Sequence, residues 1–300
     1  MADYNIIQEA NFGYRHLDPI PGAEELGRFY QSRYYDLLRK GGRAPDLQRL
    51  LEGGPSGMQE RQWLREGLYT DITMILAKHS PGNRLLEVGC GVGEFLALAG
   101  EKGFDVVGTE PSAEAARLAV NRNLRVHSTT LQQFIEENHR EGKMDGFDAV
   151  VLLHVLEHVP DPVETVLQCK SLLNSTGILC VQVPNDFTPF QRAAEKQINK
   201  HEWWVAVPDH INYFNFESLR GLLEGLGFDV VHCQGDFPME IFLLMGDDYV
   251  GNPEVGERCH ARRVRFDLAL TPDLRQTIYG ALAKTGIGRS CLMFARNTSA

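Results

Sequence analysis

Three glycines follow an acidic residue and a short apolar run in "LLEVGCGVGE", residues 85–94. At Gly89, Gly91 and Gly93 the backbone can approach a ligand closely, because glycine has no Cβ and tolerates positive φ. A glycine-rich turn between a strand and a helix is typical of nucleotide-binding sites. Glu110 ends the next predicted strand, about twenty residues later, where a carboxylate can accept hydrogen bonds from both ribose hydroxyls. These residues predict a site for a nucleotide-like cofactor.

The glycine spacing excludes the usual dinucleotide fingerprint. That fingerprint requires G-x-G-x-x-G, and counting from Gly89 its third glycine position is occupied by Glu94. The pattern is Glu-x-Gly-x-Gly-x-Gly from Glu87, which resembles motif I of class I S-adenosylmethionine-dependent methyltransferases. "FDAVVLLHVLEHVPDP" and "LLNSTGILCVQVPN" resemble the fourth- and fifth-strand motifs of the branch that includes ubiquinone-type O-methyltransferases and sugar methyltransferases. The resemblance covers roughly residues 83–185 and implies S-adenosylmethionine as the cofactor.

The resemblance also implies which residues hold this cofactor. Glu87 would anchor the turn and, through water, the cofactor ammonium, while Glu110 would fix the ribose. Many relatives place an acid beside the adenine amine after the third strand, but this chain has Thr129, Thr130 and Leu131 there. We therefore expect backbone groups and the Leu131 side chain to hold the adenine. The full predicted cofactor set is Glu87, Gly89, Cys90, Gly91, Gly93, Glu110, Pro111, Thr130, Leu131 and His154.

His154, Glu157 and His158 form H-x-x-E-H, the inverted zinc-protease signature. That chemistry requires the three side chains on one helical face, whereas His154 ends an apolar strand and Pro160 and Pro162 prevent a long helix. Ubiquinone-type relatives carry an E-x-x-E-H cluster that can hold a divalent ion, but His154 replaces the first acid here. We expect no metal: His154 lines the cofactor pocket, and Glu157 and His158 brace the loop. Methyl transfer from a sulfonium needs no Lewis acid.

The methyl acceptor requires positioning and, if it is a hydroxyl or a carbon acid, a general base. "PDHINYFNFESL" resembles the stretch before the sixth-strand helix of nucleotide-sugar methyltransferases, where an acid–histidine pair can supply the base. Asp209 and His210 match that pair, and histidine accepts a proton near neutral pH. Alternatively, His210 packs the turn before Asn215. Those enzymes also carry a cysteine-rich zinc module, which is missing here because no cysteine precedes Cys90.

Aromatic and polar residues after the later strands predict the walls of an acceptor pocket. Flat aromatic faces suit a sugar, an aromatic ring or an acyl chain, although paired tryptophans equally suit the core of a lid. The apolar run around Met239 equally suits core. The predicted substrate residues are Asn185, Trp203, Trp204, Tyr213, Met239 and Tyr249. The tyrosines at 30, 34 and 35 either close over the cofactor or pack. We expect a solvated basic face, rather than a phosphate site, from His260, Arg262 and Arg263.

Strands alternating with helices from Asn83 onwards predict an α/β fold: a Rossmann-like, doubly wound, mostly parallel sheet of seven strands. Before Asn83 the sequence shows helix-like stretches and no clear strand. Residues 1–80 are expected to be a helical N-terminal segment or lid, and 81–300 the methyltransferase domain. Two segments, about 187–213 and 236–288, interrupt the alternation. Both follow strand C-terminal ends, where this architecture binds ligands, so we expect them to be lids.

Composition narrows the class of function. The chain has 300 residues, 43% hydrophobic residues and a formal net charge of −10, which argues against nucleic acid as a partner. The six cysteines form no CxxC pair, no signal peptide is visible, and no apolar run approaches membrane-spanning length, so we expect a cytoplasmic protein. The leading interpretation is O- or C-methylation of a small molecule, a sugar nucleotide or secondary metabolite, with a homodimer left open. Alternatives are a macromolecule methyltransferase, acting on protein or RNA, and a non-catalytic cofactor-binding regulator.

Overall fold

The computed structural model describes residues 4–22, 26, 49–50, 54–141 and 146–298. The strands of a central seven-stranded sheet are β3 (Arg84–Val88), β4 (Asp105–Thr109), β5 (Val126–His127), β6 (Phe147–Leu153), β7 (Leu173–Pro184), β9 (Phe228–Gln234) and β10 (Ser290–Asn297). Their order across the sheet is β5-β4-β3-β6-β7-β10-β9. All neighbours are parallel except β10, which runs antiparallel to both β7 and β9. The predicted mostly parallel, seven-stranded Rossmann-like sheet is therefore confirmed.

Helices cover both faces of this sheet, and many begin at residues that the sequence marks. Ser112 accepts a hydrogen bond from Ala115 N, and Asp161 accepts one from Glu164 N, so each caps a helix. Asn215 and Ser218 bond each other's backbone in a capping box. The helices are α1 (Gly54–Leu64), α2 (Thr70–His79), α3 (Glu94–Glu101), α4 (Ala113–Val120), α5 (Leu131–Glu141), α6 (Pro162–Leu172), α7 (Pro189–Ile198), α8 (Phe216–Gly225), α9 (Glu240–Leu244), α10 (Pro253–Ala269) and α11 (Pro272–Lys284).

The core lies in two layers, one on each face of the sheet. Along β6, Val150 and Leu152 join one apolar cluster, whereas Ala149 and Val151 join the other. Successive side chains of a strand point to opposite faces, so a strand buried on both sides must be apolar throughout. This requirement explains the unbroken apolar run in β6.

The first part of the chain contains two strands, so the prediction of no strand before Asn83 was wrong. β1 (Asn5–Gln8) and β2 (Arg15–Asp18) form an antiparallel hairpin, and β2 pairs with β8 (Asn212–Tyr213). The Tyr14 and Phe214 rings, 5.0 Å apart between centroids, pack behind this small sheet. Each strand has at most four residues, too few to show a clear alternation. Pairing with a segment almost 200 residues away supplies the stabilisation.

The helical stretch before β3 is interrupted. A π-helical turn, Arg65–Tyr69, separates α1 from α2, and Gly67 departs from helical geometry with ψ −109°. Arg275 on α11 donates hydrogen bonds to the carbonyls of Glu66 and Gly67. These bonds satisfy backbone groups at the interruption. No helix in the described part of the chain is long and apolar enough to cross a bilayer.

Candidate active site

The three glycines of the turn after β3 all have positive φ: 69° at Gly89, 54° at Gly91 and 77° at Gly93. Their surroundings differ. A Cβ on Gly89 would lie 2.9 Å from a methyl of Val155, whereas a Cβ on Gly91 would meet nothing within 4 Å. Close packing therefore requires glycine at 89, while at 91 the backbone borders open space. This is the arrangement that a closely approaching ligand requires.

The Glu110 carboxylate holds the glycine turn against the end of β4. One oxygen accepts a hydrogen bond of 2.9 Å from Gly91 N, and the other accepts one of 2.8 Å from Ser112 N. Burial raises the pKa of Glu110, and these two hydrogen bonds oppose that shift. Each carboxylate oxygen retains further acceptor capacity, so Glu110 can also receive ligand hydroxyls.

Glu87 carries an unpaired acceptor beneath the same turn. Its side chain is buried, and among the described residues its Oε2 has no hydrogen-bond partner. Burial raises its pKa well above the ordinary value, the negative charge of Glu110 adds to this, and a backbone hydrogen bond from Leu96 opposes it. A buried carboxylate oxygen without a donor fits a site that receives an ammonium group or a water.

The other predicted cofactor residues contribute less through their side chains. Cys90 is buried against β4, so that a Cβ on Gly108 would lie 2.7 Å from its Sγ. Thr130 Oγ1 accepts a hydrogen bond from Gln133 N at the start of α5, and Leu131 belongs to the main apolar core. Pro111 is exposed. Near these residues a ligand would meet backbone groups more than specific side chains.

Five hydrogen bonds join the loop after β6 to residues 209–212, which lie before α8 in the predicted lid of about 187–213. Ile211 N and Asn212 N donate to Glu157 O at 2.7 and 3.0 Å. The Asn212 amide donates to the carbonyls of Leu156 and Val159 at 2.9 and 2.7 Å, and His158 Nδ1 contacts Asp209 O at 2.7 Å. These bonds fix residues 209–212, and His210 among them, to the loop after β6. β6 is the neighbour of β3, the strand before the glycine turn.

Glu157 lies at the centre of a histidine cluster. Its Oε1 is 3.0 Å from His154 Nδ1 and 4.0 Å from His158 Nε2. Burial alone would raise the pKa of Glu157, but the His154 hydrogen bond and the charges of the surrounding histidines, including His210, lower it to about 2. Conversely, burial works to lower the pKa of His154, and the Glu157 hydrogen bond and charge outweigh burial and raise it. Glu157 is therefore ionised and stabilises protonated histidine beside it.

Within the described ranges, Glu157, His158 and His210 form the one group of acidic, cysteine or histidine side chains close enough to share a metal ion. Their potential ligand atoms lie within 4.8 Å of one another. The sequence analysis singled out Glu157 and His158 but did not connect them to His210, which is contributed by the lid. The expectation of no metal stays a prediction.

His210 faces His158, with ring centroids 5.0 Å apart in an edge-on arrangement, and Tyr213 lies 6.3 Å away. Asp209 is buried, and its carbonyl contacts His158. The two predicted catalytic residues therefore lie at the end of β6, next to the histidine cluster. The charge of His210 helps to lower the pKa of the Glu157 carboxyl. The sequence suggested instead a pair of His210 with its neighbour Asp209.

An aromatic cluster lines the lid, and it includes one residue that the sequence analysis missed. Phe187 makes edge-on contacts at 5.6 Å with both Trp204 and Tyr213, and Trp203 contacts Trp204 at 4.8 Å. The Arg15 guanidinium lies 4.2 Å from the Phe187 ring centroid. Arg192 lies near Phe187 and Trp204, at 5.3 and 5.1 Å. Much of the aromatic surface is therefore covered by protein, as in the lid-core alternative.

Two predicted substrate residues have structural roles instead. The Asn185 amide is buried and donates to the carbonyls of Gly286 and Gly288 at 3.0 and 2.8 Å, which fixes the loop before β10. Met239 is buried in a small apolar cluster with Phe242 and Cys259, against which Tyr249 packs. Apolar packing and backbone carbonyls satisfy these side chains without a ligand.

The expected solvated basic face is also corrected. His260 Nε2 lies 2.8 Å from Glu60, Arg262 donates to Asp247 at 2.6 Å, and Arg263 donates to Asp236 at 2.9 Å. Each of the three basic side chains has an acidic partner within the protein. Their acidic partners are distant in sequence, which hid the pairing.

The pattern of the whole domain identifies the family. The family profile described as "Methyltransferase domain" matches residues 60–233, from α1 to β9. The chain belongs to this methyltransferase family. The resemblance to class I S-adenosylmethionine-dependent methyltransferases is thereby confirmed, and with it S-adenosylmethionine as the cofactor.

Curated relatives of this methyltransferase include two enzymes named ubiquinone biosynthesis O-methyltransferase. The one from Haemophilus ducreyi is 37% identical over 111 residues, which are 35% of this chain and 46% of the relative. The one from Actinobacillus pleuropneumoniae is 36% identical over 132 residues, 42% of this chain and 56% of the relative. The aligned regions thus span about half the length of these relatives.

Solved structures agree with the fold of the methyltransferase. An S-adenosylmethionine-dependent methyltransferase from Archaeoglobus fulgidus has a TM-score of 0.51 at 18% identity, covering 88% of this chain and 99% of its own. Magnesium protoporphyrin IX methyltransferase from Synechocystis, solved with bound S-adenosylhomocysteine, has a TM-score of 0.50 at 14% identity, covering 87% and 99%. At this identity the likeness shows the fold alone.

Proposed function

We propose that this methyltransferase transfers a methyl group from S-adenosylmethionine to a small-molecule acceptor, with His210 as general base. The supporting observation is the attachment of the lid to the end of β6. Residues 209–212 are hydrogen-bonded to the loop after β6, which carries Glu157 and His158. His210 therefore lies near the end of β6, and β6 is the neighbour of β3, the strand before the glycine turn. Ligands of doubly wound sheets bind at these strand ends.

The cofactor residues proposed here act through position and charge. S-adenosylmethionine supplies a methyl group on a sulfonium, an electrophile that requires only an aligned nucleophile. Glu110, already oriented by Gly91 and Ser112, would accept the ribose hydroxyls. The buried Glu87 oxygen would accept from the ammonium group or an intervening water, and Gly91 leaves the space that the ligand occupies.

His210 would take a proton from the acceptor as the acceptor attacks the methyl group. A positioned base contributes about a hundred- to ten-thousandfold in rate. The ionised Glu157 stabilises positive charge in the histidine cluster, which favours proton uptake. Trp203 and Trp204 would form the wall opposite, while Asn185, Met239 and Tyr213 are left out of the substrate set because protein groups surround them.

Three observations support a small-molecule acceptor, such as a sugar nucleotide or a secondary metabolite. The matched curated relatives carry the name of ubiquinone biosynthesis O-methyltransferases. In the chain, helix α7 follows β7 and helices α9, α10 and α11 follow β9, and α7 packs against α9, so these insertions would restrict the site. The net charge of −10 opposes binding of a polyanion such as RNA.

The test is turnover of S-adenosylmethionine on a panel of acceptors. Nucleotide sugars, catechols and other hydroxylated metabolites would each be incubated with protein and cofactor, and S-adenosylhomocysteine would be quantified by mass spectrometry. We expect product with at least one small molecule, and at least a hundredfold less with His210→Ala. Cofactor binding without turnover on any acceptor would contradict the proposal and favour a non-catalytic regulator.

A further inference from the structure

Two buried carboxyl groups follow the ends of β7 and β9, outside the histidine cluster. Asp186 follows β7 immediately and is 5% exposed, and Glu240 begins α9 and is 6% exposed. Helix α7, which starts just after Asp186, packs against α9.

We propose that Asp186 and Glu240 bind a protonated amino group of the methyl acceptor. This inference rests on the proposed function and names the class of acceptor: a small molecule that carries an ammonium group in addition to the atom that receives the methyl. An ammonium cannot itself be the nucleophile, because its proton occupies the nitrogen lone pair. The amino group is therefore a recognition element, and the proton transferred to His210 comes from a different atom.

The hydrogen bonding of the two carboxyl groups is incomplete. Among the described residues, Glu240 Oε2 is buried and has no hydrogen-bond partner. The Asp186 carboxyl accepts one hydrogen bond, of 3.2 Å, from Gln191 Nε2. Carboxylates only accept hydrogen bonds, and a buried acceptor without a donor costs free energy. An ammonium offers three donors, enough to bond both groups.

The charge of the two carboxyl groups also favours a cationic ligand. Burial raises the pKa of Asp186 to about 7, and the negative charges of Glu157 and Glu240 add to that shift. Burial likewise raises the pKa of Glu240. The Arg289 charge lowers the pKa of both groups, and the Arg263 charge lowers that of Glu240, but burial outweighs them. A ligand cation would add positive charge and would favour the ionised carboxylates.

The nearby arginines do not fill this role. Arg263 donates to Asp236 at 2.9 Å, and its effect in lowering the pKa of Glu240 is smaller than the effect of burial in raising it. Arg289 is exposed, and although its charge lowers the pKa of both Asp186 and Glu240, the net shift of each remains upward. An anionic acceptor would meet two acids in this part of the site, and a neutral one would leave their charge uncompensated.

Three probes that share one ring and differ in tail charge test this inference. Dopamine carries an ammonium, 4-ethylcatechol is neutral, and 3-(3,4-dihydroxyphenyl)propionate carries a carboxylate. Affinity would be measured by calorimetry at pH 7 with the full chain saturated with S-adenosylhomocysteine. We expect dopamine to bind at least about tenfold tighter than 4-ethylcatechol, as charge-assisted hydrogen bonds require. The carboxylate probe should bind no tighter than the neutral one.

Two isosteric variants assign the effect to these residues. Asp186→Asn and Glu240→Gln should each reduce the preference for dopamine, whereas Glu257→Gln, an exposed acid on α10, should leave it unchanged. Equal affinity of the wild-type protein for dopamine and 4-ethylcatechol, or no dopamine binding, would overturn the inference. The same titrations report S-adenosylhomocysteine binding. Failure of the wild-type protein to bind S-adenosylhomocysteine would count against the proposed function itself. Cofactor binding without a preference for the charged probe would count only against the amine site.

Discussion

The Gly91 N–H donates a hydrogen bond of 2.9 Å to the Glu110 carboxylate, joining the turn after β3 to the end of β4. The same carboxylate accepts from Ser112 N, at the start of α4. Glu110 therefore has a structural function before any ligand arrives, because it fixes the shape of the glycine turn. Its remaining acceptor capacity is held in a fixed direction, which favours recognition of a rigid vicinal diol.

Glu110→Ala should weaken binding of S-adenosylhomocysteine by about tenfold or more, since hydrogen bonds to a charged group contribute roughly 1.5–3 kcal/mol each. Calorimetry on the purified variant measures this directly. Glu114→Gln, an exposed acid in the first turn of α4, is the matched control and should bind like the wild-type protein. An unchanged dissociation constant in Glu110→Ala would remove Glu110 from the cofactor site.

Valine at Gly91 and valine at Gly89 should fail in different ways. At position 91 the added atoms enter open space, so the protein should fold but lose cofactor affinity, with φ of 54° adding strain of about 1–3 kcal/mol. At position 89 the new Cβ lies 2.9 Å from Val155, so folding stability itself should fall. Paired urea denaturation and calorimetry distinguish the two. Wild-type affinity in a folded Gly91→Val variant would contradict the placement of the cofactor.

Arg275→Met should be strongly destabilising. Arg275 bonds both oxygens of Asp71, at 2.7 and 2.8 Å, and the two side chains are only 3% and 1% exposed. Removing the cation leaves a buried carboxylate and unsatisfied carbonyls in the π-helical turn, which costs about 3–5 kcal/mol in the free energy of unfolding. Urea denaturation followed by circular dichroism measures the loss.

The control is the exposed helical pair Arg220–Glu224, with side chains 43% and 50% exposed. Arg220→Met should change the free energy of unfolding by about 0.5 kcal/mol or less. The double variant Asp71→Leu with Arg275→Met should recover part of the stability, because no charge remains buried. A cost for Arg275→Met as small as that of the surface control would show that the buried pair is not required.

Asp186→Asn should change how stability depends on pH. An unfolded aspartate titrates near 3.9, whereas burial raises the folded pKa of Asp186 to about 7. Between those values the folded protein holds a proton that the unfolded chain releases, so this contribution is complete below about pH 4 and is lost as pH rises towards 7. Between pH 5 and 7 the wild-type protein should lose stability relative to the variant, by at most about 1.4 kcal/mol per pH unit. Parallel stability curves would contradict the shift.

The central sheet and the cofactor turn could be predicted because their determinants are local. A strand buried on both faces must be apolar along its whole length, as in β6, and glycines in a turn must follow in fixed order. Ser112, Asp161 and Asn215 likewise cap helices within three residues of themselves. Such features depend on a short window of sequence.

Features that depend on distant pairing were missed. The hairpin of β1 and β2 is stabilised by β8, almost 200 residues later, and none of these strands is long enough to show a period. His210 lies near Glu157 and His158, about fifty positions earlier in the chain, because of hydrogen bonds that include the Asn212 amide and the His158 ring, and no local sequence pattern indicates this pairing. The partners of Asn185 were missed for a related reason: the carbonyls that accept from its amide belong to residues near position 287.

His210→Ala tests the proposed base. The variant should bind S-adenosylhomocysteine like the wild-type protein, because the proposed cofactor residues lie elsewhere: Glu87 on β3, Gly91 in the turn after it and Glu110 directly after β4. Turnover should fall by about a hundred- to ten-thousandfold. In the wild-type enzyme an imidazolium cannot accept a proton, so the rate should decline at acidic pH, and this decline should disappear in the variant. The measurement is the pH dependence of kcat, together with calorimetry for the cofactor.

A matched lid variant separates catalysis from packing. His201 lies in the same segment with its side chain 83% exposed, so His201→Ala should keep both the rate and its pH dependence. If His210 only packs against His158 and Tyr213, His210→Ala should instead lower the melting temperature while the folded fraction retains nearly normal turnover. That outcome would leave the chemistry to positioning alone, which suffices when the acceptor is already ionised or is a neutral amine. A folded variant with slow, pH-independent turnover would support His210 as the base.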